Sequence, residues 1–218
     1  MKKFIRNTFA LLLSGAMLVS AVGCSEDETS SYQDEADLVG NLQEEDMPYG
    51  ATMTQIKPSQ NDKVKIAVEY DYRFLTDEEA IKVSDYMAAL GTGDAALMDA
   101  TVYPPYMQRL CSNNGVSDTQ EYIDLMRENL VNNYMGGEFE FTYVLIDEMV
   151  EDADEAGFST LDSILESLGV GEITSKKLVK IDCMYSLEGD SGSYALSYRT
   201  GGNQAVYIYT IDGEIYIM

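Results

Sequence analysis

Apolar and polar side chains alternate along several segments of the chain, and this alternation is typical of β-strands that bury one face. Segment 64–74 alternates regularly, and segment 48–56 before it is a candidate hairpin partner. In the second half of the chain, Phe139, Phe141, Tyr143 and Leu145 are expected to share one face of a strand. The pattern predicts strands over the ranges 64–74, 139–145, 179–187, 194–200, 206–211 and 214–218.

Helical patterns lie between the first of these strands and the second. Thr76 and Glu79 form a capping-box sequence that begins a helix, and Gly91 is expected to end it. Asp94 can cap a second, short helix that Pro104 and the proline after it would terminate.

A short helical piece over 106–111 precedes a third main helix, for which Ser117 with Gln120 is the predicted cap and Gly136 the stop. Another small helix is expected over 161–168. Helices followed by consecutive antiparallel strands predict an α+β fold, with an N-terminal strand or hairpin and with helices packed on one face of a curved antiparallel sheet. Residues 47–218 are predicted to form one domain, since no internal repeat divides them.

The first 24 residues have the pattern of an export signal. Lys2, Lys3 and Arg6 precede an apolar stretch over 9–22, which is shorter than the roughly 20 residues that span a bilayer. The stretch ends in Ala-Val-Gly-Cys24, which resembles the bacterial lipobox. The resemblance implies a signal peptide over 1–23, a lipid on Cys24, and anchoring on the extracytoplasmic side of the cell membrane. The alternative is an ordinary signal peptide with an incidental cysteine.

Charge narrows the range of partners. The chain has 14 Lys and Arg against 38 Asp and Glu, a formal charge of −24, so a nucleic-acid partner is excluded. Nine of the acids lie between Ser25 and Asp46 with no Lys or Arg among them, and residues 24–46 are therefore predicted to be a disordered acidic tether. The absence of His removes the commonest general base and metal ligand.

The domain also resembles a family. The run 83–90, the Gly93-Asp94-Ala95 that follows, Tyr103-Pro104, and the closing stretch 209–217 around Asp212-Gly213 are similar to the NTF2-like domains (cystatin-like superfamily) of Gram-positive lipoproteins. Ile215 stands where that pattern has Trp. The resemblance implies a fold with helices against a curved sheet, and this fold serves enzymes, binding modules and scaffolds alike.

The strands are rich in tyrosine, which suits recognition surfaces because it combines contact area with a polar tip. Tyr194, Tyr198, Tyr207 and Tyr209 are the predicted recognition surface. Both faces of strand 206–211 are apolar or aromatic, so the alternative is that the fold covers both faces and the tyrosines pack the core.

Two cysteines remain after Cys24. Cys111 and Cys183 could form a disulfide in an exported protein, and two free buried thiols are the alternative.

Candidate catalytic and metal-binding groups are few. The acidic loop 151–155 lacks the ligands that an EF-hand needs at its fifth and twelfth positions, so we expect a solvated loop, and no cofactor is predicted. Asp147 and Glu148 are adjacent on a strand, where their side chains point to opposite faces. The favoured function is a non-catalytic module that binds an envelope protein or a small ligand. The alternative is an extracytoplasmic NTF2-like enzyme that uses carboxylate and tyrosine acid–base groups.

Overall fold

The computed structural model describes residues 47–150 and 157–218. The predicted signal peptide 1–23, Cys24, the tether 24–46 and the acidic loop 151–155 lie outside these residues. Among the described residues, none of the helices combines the length and the apolar character needed to cross a membrane.

The described chain has an α+β fold of six α-helices and a seven-stranded, mostly antiparallel sheet. The strands are β1 (Met53–Ile56), β2 (Ala67–Asp71), β3 (Phe139–Val150), β4 (Ile173–Leu187), β5 (Tyr194–Ala195), β6 (Gln204–Ile211) and β7 (Glu214–Ile217). The helices are α1 (Asp77–Thr92), α2 (Ala95–Thr101), α3 (Pro104–Asn114), α4 (Thr119–Leu130), α5 (Phe158–Ser167) and α6 (Leu196–Thr200). A π-helical turn, Val131–Met135, continues α4.

The strand order is β1-β2-β3-β4-β6-β7, with β5 also paired to β4. The predicted N-terminal hairpin is confirmed, because β1 and β2 are antiparallel. Among the described strands, the sheet is antiparallel as predicted except at one pair, since β2 and β3 are parallel. Helices α1 to α4 lie between these two strands in the sequence. They form the crossover connection that two parallel strands require.

The caps of the first two helices agree with the sequence. Thr76 and Glu79 make a reciprocal capping box at the start of α1, and the Asp94 side chain accepts a hydrogen bond from the backbone N–H of Leu97 in α2. Helix α1 ends at Gly93, whose φ of 77° places it in the left-handed region, and not at Gly91 as expected.

Two helix boundaries differ from the expectation. Pro104 begins α3 and does not terminate a helix, because a proline in the first turn has no N–H to leave unpaired. Helix α4 is capped by Asp118, whose carboxylate accepts the backbone N–H of Glu121, while the Ser117 hydroxyl donates to the Glu121 side chain.

The buried side chains of β3 switch from odd-numbered to even-numbered positions partway along the strand. Phe139 and Phe141 are buried as predicted, but Val144 and Ile146 are buried after them in place of Tyr143 and Leu145. The pairing with β4 shifts register between Phe141 and Tyr143, and such a shift moves the following side chains to the opposite faces of the sheet.

Segment 194–200 is not the strand that the alternation predicted. Only Tyr194 and Ala195 pair with β4, and the chain then forms α6. The Asp182 carboxylate of β4 accepts hydrogen bonds from the backbone N–H and the hydroxyl of Ser197, so a distant residue stabilises this helical turn.

Helices cover both faces of the sheet at β6. Val206 and Ile208 belong to a core cluster with α1, whereas Tyr209 and Ile211 belong to a second cluster that includes α5. Alternate residues of a strand face opposite sides. The predicted arrangement, with helices on one face alone, is therefore wrong for this part of the sheet.

Candidate functional site

The four tyrosines of the predicted recognition surface fall into two groups. Tyr194 and Tyr198 lie on β5 and α6, and Tyr207 and Tyr209 lie on β6. The structure therefore does not bring the four side chains together on one exposed face.

Tyr209 is a core residue and not part of a surface. It is fully buried, its hydroxyl donates to Asp162 over 2.8 Å, and its ring centroid lies 6.1 Å from that of Phe158. Burial, followed by the hydrogen bond to the Asp162 carboxylate, raises the pKa of Tyr209. Tyr207 is half-buried against the same Phe158 ring at 5.8 Å. Helix α5 thus covers the β6 face on which the sequence placed part of the recognition surface.

Tyr194 is half-buried and fixed in place. Its ring centroid lies 5.6 Å from that of the buried Tyr185, and its hydroxyl donates to Asp190 over 2.6 Å. The hydrogen bond to Asp190 raises the pKa of Tyr194.

Tyr198 is the member of the four that solvent reaches freely. Its side chain is 88% exposed, and in the two described ranges one other large hydrophobic residue is exposed, Tyr72 at 52%.

Helix α6 holds Tyr198 in a defined position. Leu196, two residues before it, is buried in the core cluster of α1, and Ser197 donates two hydrogen bonds to Asp182. Arg199, directly after it, donates from its Nε to the Tyr185 hydroxyl over 3.2 Å. The residues on both sides of Tyr198 are therefore anchored, and the exposed ring needs little ordering before it contacts a partner.

Cys111 and Cys183 are both free and buried, so the hypothesised disulfide does not form in the structure. Cys111 lies on α3 in the cluster that includes α5, and Cys183 lies on β4 in the cluster of α1. Burial raises the pKa of both thiols, and near Cys111 the carboxylates of Asp118 and Asp99 raise it further. Thiols in such surroundings are poor nucleophiles.

The adjacent acids Asp147 and Glu148 interact with two different partners. Asp147 accepts a hydrogen bond from the Asn203 side chain over 2.7 Å, and Glu148 pairs with Lys180 at 2.8 Å. Both acids are exposed. No group of three or more His, Cys, Asp or Glu side chains within 47–150 and 157–218 could hold a metal ion.

A cavity of about 50 Å³ lies between α1, α4 and the sheet. Most of the side chains that line it are apolar, and no Asp or Glu of the described chain is among them. Tyr122 of α4 lines this cavity, and its buried hydroxyl has no hydrogen-bond partner among the described residues. Burial first, and then the phenols of Tyr86 and Tyr106, raise the pKa of Tyr122.

An open cleft of about 790 Å³ lies between α2, α3 and the start of α4. Its two carboxylates already serve the fold: Asp99 accepts a hydrogen bond from the Thr119 hydroxyl over 2.6 Å, and Asp118 caps α4. The cleft has the size of a ligand site, but both of its carboxylates already have hydrogen-bond partners within the fold.

Sequence reasoning missed Tyr122. The residue lies next to Ile123 and four positions before Met126, inside the apolar stripe predicted for the helix. Its position on α4 could be predicted from this spacing, but the missing partner of its hydroxyl depends on which helices and strands meet around it.

Comparison with known proteins gives no relative for this chain. No protein-family model matches it, and neither a curated protein nor a solved structure is significantly similar to it. The NTF2-like resemblance therefore rests on the sequence motifs alone.

Proposed function

We propose that the chain is a bacterial lipoprotein, anchored through a lipid on Cys24 to the extracytoplasmic face of the cell membrane, and that its NTF2-like domain is a non-catalytic binding module. The anchor is supported by the lipobox-like end of the apolar stretch 9–22. Two acyl chains, the usual product of this signal, suffice for stable attachment to a bilayer.

The α+β arrangement supports the NTF2-like assignment. Helix α1 packs on one face of a mostly antiparallel sheet, and Asp212 and Gly213 turn the chain between the last two strands. Both turn residues have positive φ, as the two-residue hairpin expected from the Asp-Gly motif requires.

The interior favours binding over catalysis. An enzyme of this fold would carry its acid–base groups around the cavity between the helices and the sheet, and in the described chain that cavity is lined by apolar and neutral side chains. Asp147 and Glu148 are exposed and engaged with Asn203 and Lys180.

The observation that carries the proposal is the exposure of Tyr198. An aromatic ring that is 88% exposed on an anchored helix is suited to insert into a pocket of a partner, since aromatic residues dominate the energetics of interfaces. The formal charge of −24 favours a cationic or neutral protein of the envelope. The predicted surface of four tyrosines is thereby reduced to Tyr198, with Tyr194 beside it.

We expect Tyr198→Ala to reduce capture of envelope proteins by the purified chain at least tenfold, measured by cross-linking and quantitative mass spectrometry. The free energy of unfolding should change by less than about 0.5 kcal/mol, because the side chain is at the surface. Tyr72→Ala is the matched control, since it removes the other exposed tyrosine and should leave capture unchanged. Equal capture by the wild-type protein and the Tyr198 variant would contradict the proposed surface.

We expect Cys24→Ser to move the exported protein from the membrane fraction to the soluble fraction, because a serine cannot receive the thioether-linked lipid. Metabolic labelling with a fatty acid should mark the wild-type protein and not the variant. As a control, Cys111→Ser should remain in the membrane fraction. A Cys24→Ser protein that is exported and still membrane-bound would disprove the anchor.

A further inference from the structure

The cavity between α1, α4 and the sheet has mostly apolar walls, and one of its lining residues, Tyr122, carries a buried hydroxyl without a hydrogen-bond partner among the described residues. Tyr122 is 3% exposed, and no group in the described chain accepts or donates a hydrogen bond at its hydroxyl. A buried hydroxyl without a partner destabilises a fold, so native folds seldom leave one unless something else occupies the site.

Three polar side chains of the described chain besides that of Tyr122 line the cavity: those of Tyr86, Thr200 and Gln204. Those of Thr200 and Gln204 are engaged with each other and with the backbone: the Gln204 amide donates to the Thr200 hydroxyl and to the Gly202 carbonyl. A buried water normally needs two to four polar partners, and apolar cavities stay dry. Tyr86 also lines the cavity and its phenol lies near that of Tyr122, so an ordered water at Tyr122 is the alternative that the experiments below must exclude.

Methionines give the cavity an adaptable wall. Met87 of α1, Met98 of α2, Met126 of α4 and the C-terminal Met218 all line it. Methionine has three rotatable bonds and a polarisable sulfur, and it repacks easily around ligands of different shape. The volume of about 50 Å³ is room for about four water-sized groups at roughly 10–15 Å³ each.

We propose that this cavity binds a small, mainly apolar molecule that carries one hydroxyl or carbonyl, and that this polar group pairs with the hydroxyl of Tyr122. The apolar body of the ligand contacts the methionines, and its one polar atom satisfies the phenol. Leu196 and Thr200 of α6 line the cavity, but the exposed ring of Tyr198 does not. The inference goes beyond the proposed protein-binding function, and the two are tested by different variants.

Propan-2-ol is a suitable probe because it has four non-hydrogen atoms and one hydroxyl. The purified chain carrying Cys24→Ser and labelled with ¹³C at the methionine methyl groups is titrated with propan-2-ol and followed by NMR. We expect saturable shifts for Met87, Met98, Met126 and Met218. The methyl groups of Met53 and Met184, which are not among the lining residues, should not saturate.

Tyr122→Phe tests the polar contact. It should weaken propan-2-ol binding about five- to tenfold, as expected for a lost hydrogen bond, while xenon, which has no polar atom, should shift the same methionines in both proteins. Tyr209→Phe removes a buried hydroxyl bonded to Asp162 and is the matched control, with unchanged propan-2-ol binding.

Three results would overturn the proposal: no saturable shift of the lining methionines, equal affinity of wild type and Tyr122→Phe for propan-2-ol, or a crystal structure grown with propan-2-ol that has only an ordered water at Tyr122. A saturating shift that Tyr122→Phe weakens would support it.

Discussion

Buried tyrosines in this protein differ in what their hydroxyls contact. Those of Tyr70 and Tyr209 each donate to a carboxylate, of Asp77 and Asp162 respectively, whereas that of Tyr122 has no partner among the described residues. A hydrogen bond to a charged group stabilises a fold by about 1.5–3 kcal/mol, while an unpaired buried hydroxyl costs free energy. Substitution by phenylalanine should therefore lower the free energy of unfolding at Tyr70 and Tyr209, but not at Tyr122.

We expect Tyr209→Phe to lower the free energy of unfolding by about 1.5 kcal/mol, because Asp162 loses a buried donor. Tyr122→Phe should leave the free energy of unfolding unchanged or raise it by up to about 1 kcal/mol, since no hydrogen bond is lost. Urea denaturation in the absence of added ligand measures both values. A larger loss for Tyr122→Phe than for Tyr209→Phe would contradict the hydrogen bonding described here.

At the scale of elements, the contacts at the start of α4 show which of two candidate residues, Ser117 or Asp118, is the N-cap. The sequence favoured Ser117, but the backbone N–H of Glu121 is bonded by Asp118, and Ser117 contacts the Glu121 side chain at the surface. A side chain that accepts a backbone N–H at a helix N-terminus contributes about 1 kcal/mol, and an exposed contact between side chains contributes less.

We expect Asp118→Ala to lower the free energy of unfolding by about 1 kcal/mol and Ser117→Ala to lower it by less than about 0.5 kcal/mol. Thermal and urea denaturation of the two variants should give the same order. If Ser117→Ala were the more destabilising change, the cap would be the one that the sequence suggested.

Local signals predicted the elements that depend on neighbouring residues. The capping box of Thr76, the Asp94 cap and the Asp-Gly turn at 212–213 all involve contacts within a few positions, and all are present. The parallel pairing of β2 with β3 and the formation of α6 are set by contacts across the sheet, such as that of Asp182 with Ser197, and no local pattern encodes them.

The candidate site was predictable to a similar extent. The sequence correctly placed Tyr207 and Tyr209 on a strand, but Tyr198, predicted on a strand, lies on α6. Burial of Tyr209 and exposure of Tyr198 depend on where α5 and α6 pack. Alternation places Tyr207 and Tyr209 on the face of β6 opposite Val206, but the packing of α5 and the other helices of the second core cluster decides that this face is covered.

At the scale of the whole molecule, Asp71 connects the first described residues to the sheet. Its fully buried carboxylate accepts hydrogen bonds from Arg73, from the Thr52 hydroxyl over 2.6 Å and from the Gly50 N–H over 2.9 Å. Burial alone would raise the pKa of Asp71, and these hydrogen bonds, chiefly that from Arg73, outweigh it and lower the pKa. Arg73 in turn donates to the carbonyl of Met47.

This network predicts where the folding unit begins. A chain starting at Met47 keeps every donor to Asp71, and the acidic segment 25–46 offers few apolar side chains to pack. We expect residues 47–218 to unfold in one calorimetric transition, with the same free energy of unfolding as residues 25–218 within about 0.5 kcal/mol.

A chain starting at Met53 is the matched truncation, because it removes only six more residues while keeping every strand and helix. It loses the Gly50 and Thr52 donors to Asp71, and with Tyr49 the hydrogen bond to the Ile146 carbonyl. We expect the free energy of unfolding to fall by about 3 kcal/mol or more, because a buried carboxylate is left short of donors and its burial is no longer compensated. Equal stability of the two truncated chains would refute the role of Asp71, and two separate transitions for residues 47–218 would refute the single domain.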